Sequence, residues 1–185
     1  MNLTALIKEV VKDNDDSLSN GEITQWLNRG LDDISPYARH KKFQTIILPH
    51  NQKSTSLPSD LFEIVYIMDE EGKKKFHQIP FDDFQSSGFK LWGKEILFQP
   101  SFQEDKELSL YYYGKLPHLV NAEDEPELPS EFHDLLVLYA LAKAKYKDEE
   151  LEMHSVAMNE YTRRKEEFIS FNQTSEVFQM QEVYW

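Results

Sequence analysis

The stretch from Leu128 to Phe171 constrains the fold most, because it carries apolar residues at helical spacing over more than forty positions with one sharp break in charge. It opens Leu128-Pro129-Ser130-Glu131-Phe132 and then places Leu135, Leu136, Tyr139, Ala142 and Tyr146 along one side. Recurrence at three and four residues is the signature of an amphipathic helix. Pro129 ends an extended approach, and Ser130 is expected to cap the first free backbone N–H groups. Lys143, Lys145 and Lys147 suit the negative end of a helix dipole, whereas Asp148-Glu149-Glu150 suits a helix start. With no Gly or Pro at the break, the pattern predicts either two helices joined by a very tight turn near Lys147–Asp148 or one kinked helix. The second segment presents Met153, Val156, Ala157, Tyr161, Arg164 and Phe168.

Upstream lie partners for this pair. Leu3, Leu6, Ile7, Val10 and Val11 form a short helical stripe, closed by the turn-prone run Asp13 to Asp16. Ser19 with Glu22 makes a capping box ahead of Ile23, Trp26, Leu27, Gly30, Leu31 and Ile34, a face predicted to stop before Pro36. Gly30 weakens that helix, so it is expected to mark the close approach of another backbone. Trp26, Leu31, Leu135, Leu136 and Tyr139 are predicted to pack together.

From Phe43 the period shortens. Phe43–Leu48 reads as a strand, Leu57–Leu61 as a turn, and Phe62–Met68 as a central strand rich in β-formers. Asp69–Lys73 connects it to Lys74–Ile79, Phe81–Phe84 resembles a single helical turn, and Phe89–Trp92 pairs through Gly93-Lys94 with Glu95–Gln99. Leu108–Tyr113 is the last strand. The fold class is therefore α+β: N-terminal helices, a central antiparallel β meander, a C-terminal helical pair and an extended tail. The expected organisation is one domain over 1–173, with helices over 3–35, a sheet over 43–113 and helices over 130–171, followed by a docking tail at 174–185. In that tail Val177, Phe178, Met180, Val183, Tyr184 and Trp185 make an unusually apolar end, predicted to bind a partner or a neighbouring subunit as an extended segment.

Chemistry of a catalytic kind is not indicated. The six histidines show no paired metal-ligand spacing, and there is no Gly-rich phosphate loop or nucleophile elbow. Neither a metal, a cofactor nor a catalytic residue is expected. Asp82 and Asp83 are adjacent, which suits turn capping better than a carboxylate dyad. His133 is assigned to the surface or an interface, and Tyr111-Tyr112-Tyr113 to the core and rim of the sheet. Absence of cysteine removes disulfides and thiolate chemistry, which fits a reducing cytoplasm. No apolar run is long enough for a transmembrane helix. A formal net charge of -13 argues against tight binding to nucleic acid, which depends on clustered Lys and Arg at phosphates.

Three segments, in order, resemble the head-to-tail adaptor (connector) proteins of tailed bacteriophages. Ile23-Thr24-Gln25-Trp26-Leu27-Asn28-Arg29-Gly30-Leu31-Asp32-Asp33-Ile34 is similar to that family's early helix, with its Asn, small residue and Asp-Ile pair. Leu57-Pro58-Ser59-Asp60-Leu61-Phe62-Glu63-Ile64 resembles the entry into its sheet, and Leu128 to Leu136, running on to Tyr139-Ala140, the opening of its late helix. The resemblance spans most of Ile23 to Lys147. It implies a virion component of the neck, assembled in the host cytoplasm as a homo-oligomeric ring of about twelve copies. The implied partners are the portal protein, tail or nozzle proteins and further copies of the chain, with genomic DNA passing through the lumen without specific binding and no membrane involved. Two other readings stay open from the residues: an acidic DNA-mimic protein that inhibits a nucleic-acid enzyme, and a hydrolase using Asp82, Asp83 or His133.

Overall fold

The computed structural model describes residues 1–12 and 18–180, with residues 174–180 as backbone alone. Among the described residues, four helices, α1 (Leu3–Lys12), α2 (Asn20–Ala38), α3 (Asp134–Lys147) and α4 (Leu151–Met180), flank seven strands in sequence. The strands are β1 (His40–Leu48), β2 (Ser54–Ser56), β3 (Leu61–Asp69), β4 (Lys74–Phe76), β5 (Gly88–Trp92), β6 (Glu95–Gln99) and β7 (Lys106–Gly114). The chain is α+β, as expected, and divides into a helical unit (Met1–His40 with Leu116–Trp185) and a β unit (Lys41–Lys115).

The helical unit is built on α3. Leu135, Leu136 and Ala140 are fully buried with Leu6, Val10, Leu27, Leu31, Ile34 and Phe168 in one cluster, and Trp26 and Tyr139 pack against it. Gly30 is the point of closest approach: a Cβ there would stand 3.3 Å from Leu136 Cδ2 and 3.5 Å from Tyr139 Cβ. The helix-weakening glycine thus lets α3 lie against α2. The Ser19–Glu22 capping box forms as expected. α2 runs through Pro36 to Ala38 rather than stopping before it, and Arg39 closes it in the left-handed region. A proline in the last turn loses a single intrahelical bond, while the preceding Ser35 hydroxyl donates to Leu31 O at 2.7 Å.

Of the two readings of the charge break, the structure takes the pair of helices. They are joined by Asp148-Glu149-Glu150, with Glu149 at φ 62. Ser130 does not cap α3. Ser130–Phe132 form a single 3-10 turn whose Ser130 carbonyl accepts from the His133 N–H, so α3 begins only at Asp134. Tyr146, Met153 and Val156 continue the helical spacing but are exposed. They flank the tight turn, where Tyr146 tilts onto His154 with ring centroids 5.3 Å apart. α4 continues as helix through Met180, so Val177, Phe178 and Met180 lie on helical rather than extended backbone.

In the β unit the strands form two sheets, β1-β7-β3-β4 and β2-β6-β5. The β3–β4 and β5–β6 hairpins follow the expected succession, the latter closing Trp92 onto Glu95 around Gly93-Lys94. The order departs from a plain meander because β7 inserts between β1 and β3. Gln78 bridges Phe89 in parallel, joining the chain after β4 to β5. This bridge requires Gly88, where a Cβ would meet His77 O at 2.4 Å. Leu108, Leu110 and Tyr112 alternate inward along β7 to meet Ile46, Leu48, Ile67, Phe76, Ile96 and Phe98.

Because Leu136 is fully buried against both Gly30 and the cluster, Leu136→Ala should cost about 2–5 kcal/mol. Urea unfolding checks it, and an unchanged midpoint would contradict the packing.

Candidate docking surfaces

The segments that carry the adaptor resemblance turn out to hold the chain together. On α2, the Asn28 amide clamps the Leu119 backbone in both directions, accepting its N–H at 2.8 Å and donating to its carbonyl at 3.0 Å. Asp33 accepts from the Tyr161 hydroxyl and from Lys165 Nζ at 2.7 Å, tying α2 to α4. Burial alone pushes the Asp33 carboxyl upward, but the bonds from Lys165 and Tyr161 outweigh it and hold the group below the usual aspartate range. In the second segment, Asp60 accepts from Lys42 at 2.6 Å and from the Tyr112 hydroxyl at 3.2 Å, fixing the entry to β3. In the third, the Arg164 guanidinium bonds Asp134 at 2.8 Å and the Glu131 carbonyl, and lies 4.8 Å over the Phe132 ring.

Of the three residues in the hydrolase reading, Asp82 is exposed, whereas Asp83 and His133 are occupied structurally. Asp83 Oδ1 accepts the backbone N–H groups of Gln85 and Ser86, both at 2.9 Å, which is the turn-capping role. These bonds, together with that from the Ser86 side chain, lower its carboxyl to about 2. His133, assigned to the surface or an interface, is instead buried within the chain, only 2% exposed. Both ring nitrogens are paired, Nδ1 with the Met1 amino group at 2.7 Å and Nε2 with Leu128 O at 3.1 Å, and that pairing makes burial tolerable. Among the described residues, no cluster of three or more metal-ligating side chains occurs.

Exposed apolar and aromatic surface is plentiful instead. On the β unit, Phe43, Tyr111, Tyr66 and Lys75 form a ladder across β1, β7, β3 and β4, with successive separations of 5.2, 4.4 and 4.7 Å. Tyr112, between Tyr111 and Tyr113, points into the core, so the tyrosine run divides between core and rim as expected. Elsewhere Phe81 stacks on Trp92 at 4.6 Å, and Phe81 and Phe84 line a cavity of about 390 Å³. On the helical unit, Tyr146, Leu151, Met153 and Val156 are exposed around the α3–α4 turn. Of the partner-binding residues expected in the tail, Val177, Phe178 and Met180 are placed by their helical backbone, and Val183, Tyr184 and Trp185 lie outside the described residues. Lys90, now seen beneath Phe84, escaped the sequence reading because a lysine in an alternating strand looks like any solvated position.

A chain whose polar residues brace two cores, and whose surface carries exposed aromatic and aliphatic groups, has a surface suited to contact with other proteins. Over residues 1–181 it matches the family described as SU10 adaptor protein, and it belongs to that family of bacteriophage adaptors. This is a structural family rather than an enzyme family, and its members work against other phage structural proteins. The match takes in α1 and α4 as well as the stretch Ile23 to Lys147. A search of curated proteins found no match. Among the described residues, no helix is long and apolar enough to cross a membrane.

The depressed Asp33 gives a signed pH dependence. Its contribution to stability is complete above the unfolded aspartate value of about 3.9 and is lost as pH falls through the lower folded value. Lys165→Met should therefore flatten the loss of helical stability between about pH 5 and pH 2. Urea titrations followed by the helical circular-dichroism signal test this, and an acid limb identical to that of the parent would contradict it.

Proposed function

We propose that the chain is a head-to-tail adaptor of a tailed phage virion. About twelve copies form a ring beneath the portal, extend the DNA channel and offer a platform to tail or nozzle proteins. The observation that carries this reading is the adaptor-family match over residues 1–181. Its physical support comes from charge and surface. With a net charge of -13, a lumen lined by this chain repels DNA phosphates and lets the genome slide, whereas a basic lumen would hold it. Exposed aromatic groups on one unit and exposed aliphatic ones on the other provide the two different patches per subunit that a closed ring requires.

In this reading residues 1–173 are the adaptor body and 174–185 the docking segment. Val177, Phe178, Met180, Val183, Tyr184 and Trp185 anchor it to the portal or to a neighbouring subunit. Since α4 carries this segment as helix to Met180, docking begins as a helix laid in a groove rather than as an added strand. Aromatic anchors of this kind supply most of the energy at such contacts.

Deleting Ser175 to Trp185 should leave a folded chain whose helical signal falls only by the residues removed. The truncated chain should no longer attach to portal-bearing heads in a sedimentation assay. Attachment at the parent's level would show that the anchor lies elsewhere.

A further inference from the structure

Lys90 on β5 is a buried cation without a counter-ion of its own. It is only 6% exposed, and its ammonium donates to the Phe81 carbonyl at 3.1 Å, leaving further donors unused. It lies 4.6 Å from the Phe84 ring centroid and 5.7 Å from that of Phe81. Among the described residues no carboxylate stands within ion-pair distance of it. Asp83, whose charge it feels, is already committed to the backbone N–H groups of Gln85 and Ser86. The ammonium lines the cavity of about 390 Å³ bordered by Phe81 and Phe84. Phe84 is 79% exposed and the neighbouring Trp92 62%. The loop that carries the rings is rigidly held, because the Gln99 side chain donates to Asp83 O at 3.2 Å and to Ser86 O at 2.8 Å. A buried charge left unpaired is costly, so a prebuilt pocket of this kind favours an incoming carboxylate with an apolar flank.

The helical unit presents such a group. In the loop after Leu119, Asp124 accepts the N–H groups of Val120 and Asn121, both at 2.8 Å, and its carbonyl accepts the Leu3 N–H at 2.8 Å. Glu123 accepts from Asn2, and Glu127 pairs with His40. Glu125 is exposed and has no ion pair among the described residues, and Val120, five residues earlier in the same loop and held by Asp124, is 76% exposed. A braced loop therefore offers one carboxylate and one aliphatic side chain, with little ordering entropy left to lose.

We propose that the pocket over Lys90 receives Glu125 of a neighbouring copy of this chain. The carboxylate takes the spare ammonium donors, and Val120 seats against the exposed rings. The contact is heterologous, pairing different patches of the two copies, as successive subunits of a ring must. It rests on the ring assembly proposed above.

Full-length wild-type, Lys90→Met and Glu125→Lys chains, each checked for folding by circular dichroism, are compared by sedimentation velocity and native mass spectrometry. The measurements are made free in solution and on portal-bearing heads. Each variant alone should self-associate at least about tenfold more weakly than wild type. Mixed in equal amounts they retain one intact Lys90 and one intact Glu125, so the mixture should form a one-to-one heterodimer that grows no further. Should Lys90→Met unfold, Glu125→Lys alone decides, because its site is an exposed loop. Assembly of Glu125→Lys at the wild-type level, or a mixture of folded variants without heterodimer, would overturn the contact while leaving the ring intact. A wild-type chain that is monomeric in both settings would overturn the ring and the contact with it.

Discussion

The packing of α3 against Gly30 of α2 is the contact on which the helical unit depends. The helix α3 buries Leu135, Leu136, Ala140, Ala142 and Ala144 and is exposed only at Tyr146 and Lys147 near its end. It is stable only where α1, α2 and α4 cover it. Close approach at Gly30 brings Leu136 and Tyr139 onto α2, and from there the polar braces follow. Asn28 fixes the Leu119 backbone, Asp33 holds Tyr161 and Lys165, and Lys147 at the end of α3 reaches back to Glu22 at 2.7 Å. The Glu22 carboxyl, lowered to about 2 chiefly by Lys147, also completes the capping box that starts α2.

That arrangement shows how an adaptor rich in charged residues uses them within its own fold. Its Asp33, Asp60 and Arg164 are spent on bracing, and part of its aromatic content faces outward. In the β unit, Phe76 meets Phe98 and Phe102 edge-on at 5.9 and 5.8 Å in the interior, while Phe43, Tyr111 and Tyr66 form the ladder at the rim. Contact function therefore resides in surface shape and in a few placed charges. Such a surface suits a structural adaptor of the virion that binds other proteins.

Much of this was legible in the sequence, and the failures have physical causes. Local rules held for the Ser19–Glu22 cap, the Gly93-Lys94 hairpin, the inward alternation of Leu108, Leu110 and Tyr112, and the glycine at the helix contact, but not for the Ser130 cap or a stop before Pro36. Strand order was not legible, because the insertion of β7 between β1 and β3 depends on partners far apart in sequence. Helical spacing marked the stripe that includes Tyr146, Met153 and Val156 but not where its cover ends. His133 and Lys90 were misjudged or passed over for one shared reason. Burial of a polar side chain depends on distant acceptors, here Leu128 O and Phe81 O, that no pattern around the residue reveals. The tail was read as extended from its composition, whereas continuity with α4 keeps residues through Met180 helical.

The central claim is that this chain is a ring-forming part of the virion neck, and quantifying it in purified particles tests that most directly. Isotope-standard mass spectrometry of virions, combined with cryo-electron microscopy of the neck, gives both copy number and place. The account predicts about twelve copies per particle, seen as one ring between portal and tail. Virions that lack the chain while infected-cell lysate retains it, bound to a nucleic-acid enzyme or free, would contradict the account.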